Sequence, residues 1–213
     1  MTAMTAVNTM SAAANNLCIV DDDEAVRRSL GLLLLSRGHA VQTFASGEAF
    51  LAGADLQRPG CVIMDLRMDG ASGLQVFDAL RAQGSPLVVI FLSGHGDIPM
   101  AVEAVQNGAF GWLEKPCNDE RLLDTIARAL QQAGEIGARR QARQAAQALW
   151  DKLTPREMQV ARLVAEGKPN KQIAQELAPV EQRTVETHRA HVFAKLGLAN
   201  SHQLDRFLRE HSL

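Results

Sequence analysis

A chain of 213 residues, 46% of them hydrophobic, is long enough for two domains and too apolar for global disorder. Its longest apolar run, Leu30 to Leu35, is far too short to cross a bilayer, and Cys18, Cys61 and Cys117 read as reduced thiols rather than a disulfide framework or a zinc site. The net charge of -2 divides unevenly, -6 over residues 1–133 and +4 over 134–213, so contacts with phosphates belong in the second part.

Residues 1–16 are rich in Ala, Thr, Met and Asn and lack the charge and apolar core of a signal peptide. They are expected to form a disordered tail on a cytoplasmic protein. Short apolar runs follow at Leu17–Val20, Ala40–Phe44, Cys61–Met64, Leu87–Leu92 and Phe110–Leu113. Strands buried on both faces have this composition. Helical patterns near residues 24–37, 47–53, 73–83, 98–107 and 119–133 separate and follow them, with Gly38 placed to stop the first. Five βα units in a row predict an α/β domain over 17–133, a doubly wound five-stranded parallel sheet with right-handed crossovers.

Residues 134–151 change to Ala, Gln and Arg and are expected to form a solvated helical linker. From residue 152 to 213 the pattern is all-α. Thr154-Pro155-Arg156-Glu157 is a capping box with proline at the first helical position. Lys168-Pro169-Asn170 breaks the chain, and Asn170 is expected to cap a second helix carrying Ile173, Ala174 and Leu177. A third helix is expected near Gln182–Leu196, with Val185, Val192 and Leu196 toward the core, and a fourth from Asn200 to about His211.

In an open α/β sheet, ligands sit beyond the carboxyl ends of the strands. Asp21, Asp22 and Asp23 follow the first run, Asp65 the third, Ser93 the fourth and Lys115 the fifth. Clustered carboxylates repel one another, and a hard cation relieves that repulsion. Mg²⁺ fits, because it takes few protein oxygens and keeps several waters. Such a site suits phosphoryl transfer. A carboxylate attacks phosphorus, while metal, lysine and hydroxyl neutralise the equatorial oxygens.

The stretches Ile19-Val20-Asp21-Asp22-Asp23-Glu24, Met64-Asp65-Leu66-Arg67-Met68, Ser93-Gly94-His95-Gly96-Asp97 and Glu114-Lys115-Pro116 resemble the receiver domains of two-component response regulators, and the run His95-Gly96-Asp97-Ile98-Pro99-Met100-Ala101-Val102-Glu103-Ala104 is similar to FixJ-type regulators in particular. The resemblance implies that Asp65 is the phosphoacceptor. It implies that Asp21, Asp22, Asp65 and the Arg67 main-chain carbonyl hold Mg²⁺. Ser93 and Lys115 take the switch-hydroxyl and phosphate-sensing positions. Trp112 falls at the family's aromatic switch, usually Tyr or Phe, and also reads as plain core packing. His95 reads as a loop residue. The sequence departs from the family at Asp69-Gly70, where Pro-Gly is common, and at Cys117, where Phe is usual.

Residues 152–211 resemble the LuxR/NarL-type helix-turn-helix, most clearly in Arg183-Thr184-Val185-Glu186-Thr187-His188-Arg189. By position on the resembling recognition helix, Glu186, Thr187 and Ala190 face base edges. Lys171, Arg183, Thr184, Arg189 and Lys195 are candidate phosphate contacts, and His188 is counted with the DNA-binding set. The turn Ala178–Gln182 is one residue longer than usual and lacks the Ser or Thr cap of that helix. The implied protein is a transcription factor, not an enzyme. A sensor histidine kinase phosphorylates it, and it then dimerises, binds promoter DNA and works with RNA polymerase. Two rivals are a metal-dependent phosphatase with an aspartyl nucleophile, whose Asp-x-Asp-x-Thr run is absent, and a protein-binding adaptor with a weakened DNA domain.

Overall fold

The computed structural model describes residues 16–94 and 98–213, and of residues 98, 99 and 101 the backbone only. The expected tail up to residue 15 and the loop position of His95 lie outside the described residues. Contacts divide the chain into two units, residues 1–137 and 138–213.

The first unit is a sheet of five strands, β1 (Asn16–Val20), β2 (Val41–Phe44), β3 (Gly60–Asp65), β4 (Leu87–Ser93) and β5 (Gly111–Glu114), in the order β2-β1-β3-β4-β5. Every neighbouring pair is parallel. Helices α1 (Glu24–Ser36), α2 (Gly47–Gly53), α3 (Gly73–Ala82) and α4 (Ile98–Gln106) make the crossovers, and α5 (Asp119–Trp150) follows β5. The central strands β3 and β4 are buried along their whole length, which is why their sequences show no polar alternation. One apolar layer joins α2, α3 and α4 to Val20, Val62, Met64 and Phe91. The opposite layer joins α1 and α5 to Ile19, Ile63, Ile90 and Leu113.

Strand bounds fall within a residue or so of those expected. Register then does the positioning: Val20 pairs with Met64, so Asp21 and Asp65, the next residues, emerge side by side. Ser93 pairs with Glu114, so Lys115 emerges beside them. Asp23 is spent on structure. Its carboxylate accepts from the amides of Ala25 (2.8 Å) and Val26 (3.4 Å) and caps α1. Gly38, with φ +82°, lies just beyond the C-cap of α1, the conformation glycine tolerates best. Cys18 and Cys61 are buried in opposite layers, and burial pushes the Cys18 thiol up to about 11.

Helix α5 continues without a break through the stretch read as a linker. Its last turn is not solvated: Leu149 and Trp150 pack in the core of the second unit. That core also holds residues from α6 (Pro155–Ala165), α7 (Asn170–Glu176), α8 (Gln182–Leu196) and α9 (Ser201–His211). The capping box of α6 is present in both directions. Asn170 does not cap α7. Pro169 holds the cap position with no side-chain bond, and Asn170 is the first helical residue, with its amide facing α8 instead. Glu181 holds the cap position of α8, also with no side-chain bond, after a cis Ala178–Pro179 bond, and Gly197 closes the helix at φ +68°.

Glu157 is the polar centre of this unit. It is 3% exposed, yet its carboxylate accepts from the Lys195 amine (2.6 Å) and the Thr154 amide (2.8 Å), and His191 lies 3.6 Å away. Burial alone would raise its pKa, but these donors outweigh it and hold the carboxyl at about 2. A carboxyl depressed from 4.5 to about 2 contributes stability that is complete above about pH 4.5 and is lost as pH falls toward 2. Glu157→Gln is therefore expected to destabilise the second unit at pH 7, with the deficit relative to the parent protein shrinking between pH 4.5 and 2. Chemical denaturation followed by circular dichroism across that range measures it.

Candidate functional site

Four strand ends converge at the topological switch between β1 and β3. The Lys115 amine is the hub, 2.6 Å from an oxygen of Asp21 and 2.8 Å from one of Asp65. Asp21 is buried, Asp65 nearly so, and Asp22 is exposed at the rim. The second oxygen of Asp21 accepts from the Asp23 amide (2.9 Å), and that of Asp65 from the Arg67 amide (3.3 Å). Asp22 accepts from the Asp69 amide (3.1 Å), a bond that proline at residue 69 would not make. Arg27 donates to the Asp21 carbonyl at 2.7 Å, fixing the start of α1 against the same strand end.

Burial pushes the Asp65 carboxyl above the ordinary aspartate value, against the pull of the Lys115 amine. Burial also opposes the charge of Lys115. Its bonds to Asp21 and Asp65 outweigh that penalty and raise its pKa, so it remains a cation. One carboxylate oxygen each from Asp21, Asp22 and Asp65 lie within 4.8 Å of one another. Three anionic oxygen donors with no sulfur or imidazole form a set for a hard divalent cation, which Mg²⁺ fits.

Ser93 is fully buried, and the Trp112 indole N–H donates to its hydroxyl. Trp112 also packs, partly buried, on the α2–α4 side of the sheet. The Lys115 amide donates to the Ser93 carbonyl (2.7 Å), stitching β5 to β4 beside the pocket. Gly73 opens α3 directly under the phosphoacceptor candidate: a Cβ there would lie 2.2 Å from the Asp65 carbonyl oxygen. Nothing in the motif reading singled out this glycine. Its signal was a glycine one residue after the Ser72 cap.

On the second unit, Lys171, Arg183, Thr184, Glu186, Thr187 and Ala190 are exposed, whereas His188 and Arg189 are half-buried. Lys195 is exposed but its amine is committed to Glu157. Arg189 donates to the Asn170 side-chain carbonyl (2.8 Å) and stacks over Phe193. The buried Nδ1 of His188 has no hydrogen-bond partner among the described residues. Thr187 donates back to the Arg183 carbonyl (3.1 Å) within the helix.

Two family models match the chain: the response regulator receiver domain over residues 17–127 and the luxR family of bacterial regulatory proteins over 151–208. The C4-dicarboxylate transport transcriptional regulatory protein DctR of Rhodobacter capsulatus is 46% identical over 190 residues, covering 88% of this chain and 96% of that protein. The transcriptional regulatory protein FixJ of Azorhizobium caulinodans is 42% identical, covering 88% and 89%. The solved structure of the response regulator StyR matches with a TM-score of 0.82 at 36% identity, over 93% of this chain and all of that one. The chain thus belongs to the response regulators that join a receiver domain to a LuxR-type DNA-binding domain. It is a transcription regulator under phosphoryl control and not an enzyme, with a sensor kinase and DNA as its classes of partner. No helix among the described residues is long and apolar enough to cross a membrane.

Because Lys115 lowers the Asp65 carboxyl against burial, Lys115→Met is expected to raise the Asp65 pKa further. Carbon-13 titration of the aspartate carboxyls in the full chain measures that shift.

Proposed function

We propose that Asp65 is the phosphoacceptor and that Asp21, Asp22, Asp65 and the Arg67 carbonyl hold Mg²⁺. The observation that carries this reading is the Lys115 amine bridging Asp21 and Asp65 beside Asp22 and Ser93. An Asp65 oxygen forms a bond to phosphorus as the P–N bond of a sensor kinase's phosphohistidine breaks, and the electron pair leaves with the imidazole nitrogen. Bound Mg²⁺ supplies charge neutralisation for the transferring oxygens. Lys115 then donates to one phosphoryl oxygen and Ser93 to another, and Trp112, bonded to Ser93, follows the hydroxyl.

The proposed division is a tail at 1–16, a receiver at 17–133, a helical linker at 134–151 and a DNA-binding domain at 152–213, in a cytoplasmic protein. Helix α7 braces α8 in the major groove. Glu186, Thr187 and Ala190 face base edges, while Lys171, Arg183, Thr184 and His188 meet the backbone. Arg189 and Lys195, held by Asn170 and Glu157, keep α8 at its angle before any backbone contact. Phosphorylation promotes a homodimer that engages two half-sites about one helical turn apart and works with RNA polymerase.

Asp65→Asn is expected to abolish the base-labile acyl phosphate formed with a small phosphodonor and Mg²⁺, while leaving the fold intact by circular dichroism. Full labelling of that variant would overturn the assignment. With beryllofluoride as phosphoryl mimic, sedimentation is expected to show a monomer converting to a dimer, and footprinting a second protected half-site. A monomer protecting one half-site in both states would refute the dimer mechanism.

A further inference from the structure

A carboxylate on the DNA-facing strip of a recognition helix is a liability, because the phosphates repel it. Glu186 sits in the middle of such a strip, with Gln182 one turn before it, Ala190 one turn after it, and all three exposed. Among the described residues it has no cationic partner. It is not free to swing away either. Arg189, which only donates, places its Nη1 2.8 Å from the Asn170 Oδ1. That bond settles which way the Asn170 amide points and turns its Nδ2 toward Glu186 Oε1, at 3.5 Å. Gln182 Nε2 donates to the same oxygen at 3.2 Å. Two amides, one from α7 and one from α8 itself, therefore hold Oε1, and Oε2 has no partner among the described residues.

We propose that Glu186 reads a cytosine, its Oε2 accepting from the base's N4 amino group; this rests on α8 being the helix that enters the major groove. A free, fixed, acceptor-only oxygen gains from DNA only where the groove offers a donor, and only two base atoms there do, cytosine N4 and adenine N6. Adenine N6 stands beside N7, an acceptor that repels a carboxylate. Cytosine N4 is flanked on its own ring by a C–H group. Ala190, with no side chain beyond Cβ, puts no long group into the groove one turn further along. Asn170 and Gln182 are then positioning residues: they touch no base but set which oxygen of Glu186 is offered.

The test is selection of bound duplexes from a randomised pool by the full chain with beryllofluoride, for the parent protein, Glu186→Gln, Glu186→Ala and Lys171→Ala. The parent protein is expected to select cytosine at one position per half-site, with about tenfold weaker binding when that base is changed. In Glu186→Gln the side-chain oxygen keeps its two amide donors, and the free arm becomes an NH₂. The preference at that position is expected to move from cytosine to a purine, which offers acceptors. Glu186→Ala is expected to flatten it, and Lys171→Ala to weaken all sequences alike. If Glu186→Gln and Glu186→Ala weaken binding without altering base preference, Glu186 is a brace only, and the inference falls while the assignment of α8 stands. If the parent protein binds no duplex, that assignment fails and this inference with it.

Discussion

The Lys115 amine, shared between Asp21 and Asp65, is the interaction on which the receiver unit turns. Three carboxylates crowded at the end of a buried sheet do not coexist without positive charge, and desolvation alone would drive one of them toward its neutral acid. Lysine supplies one cation from the end of β5, and the three acidic side chains form a set that suits a divalent ion for the rest. The fold reflects this demand. β5 lies beyond β4, two strands away from β3, so the amine must reach across Ser93 to meet Asp65. The bond between the Lys115 amide and the Ser93 carbonyl fixes the base of that reach. Every group proposed to handle phosphate therefore lies along one span of polar contacts at the carboxyl edge of the sheet.

The second unit is organised around charge in a different way. Glu157 is a buried anion that begins α6 and receives a lysine from the end of α8. Pairs of this kind gain little over an apolar substitute, but breaking one leaves an unpaired charge in the core. The effect is geometric: α8 fits α6 in one register. A single-turn slip would strand the carboxylate. Asn170 repeats the arrangement at the other side of α8, where α7 grips Arg189 and Glu186 together. Helix α8 is thus held by polar clips at two points, and an apolar core binds it between them.

Much of this was legible in the sequence. The strands were visible because double burial leaves apolar runs, and α6 because its cap is local in sequence. Asp21, Asp65, Ser93 and Lys115 were placed by the rule that strand ends carry ligands. What escaped was long-range pairing between polar side chains. Nothing local connects Lys195 to Glu157, 38 residues earlier, to which its amine donates. Asn170 read as a cap because the residue type suits one; the proline before it took that place, and its amide went to α8. Asp23 read as part of the acid cluster although its position, just before a helix, is the mark of a cap. Trp150 read as linker because burial of one large ring in an Ala- and Gln-rich stretch leaves no periodic trace.

The aromatic composition has one more consequence. The chain contains no tyrosine and two tryptophans. One donates its N–H to Ser93 beside the acid pocket. The other closes the core of the second unit under the Arg162 guanidinium. Ultraviolet emission above 300 nm therefore has two sources, one in each half of the molecule. Replacing either ring with phenylalanine leaves a native chromophore that sees only its own domain. Signal input and DNA output are then spectrally separable without any added dye.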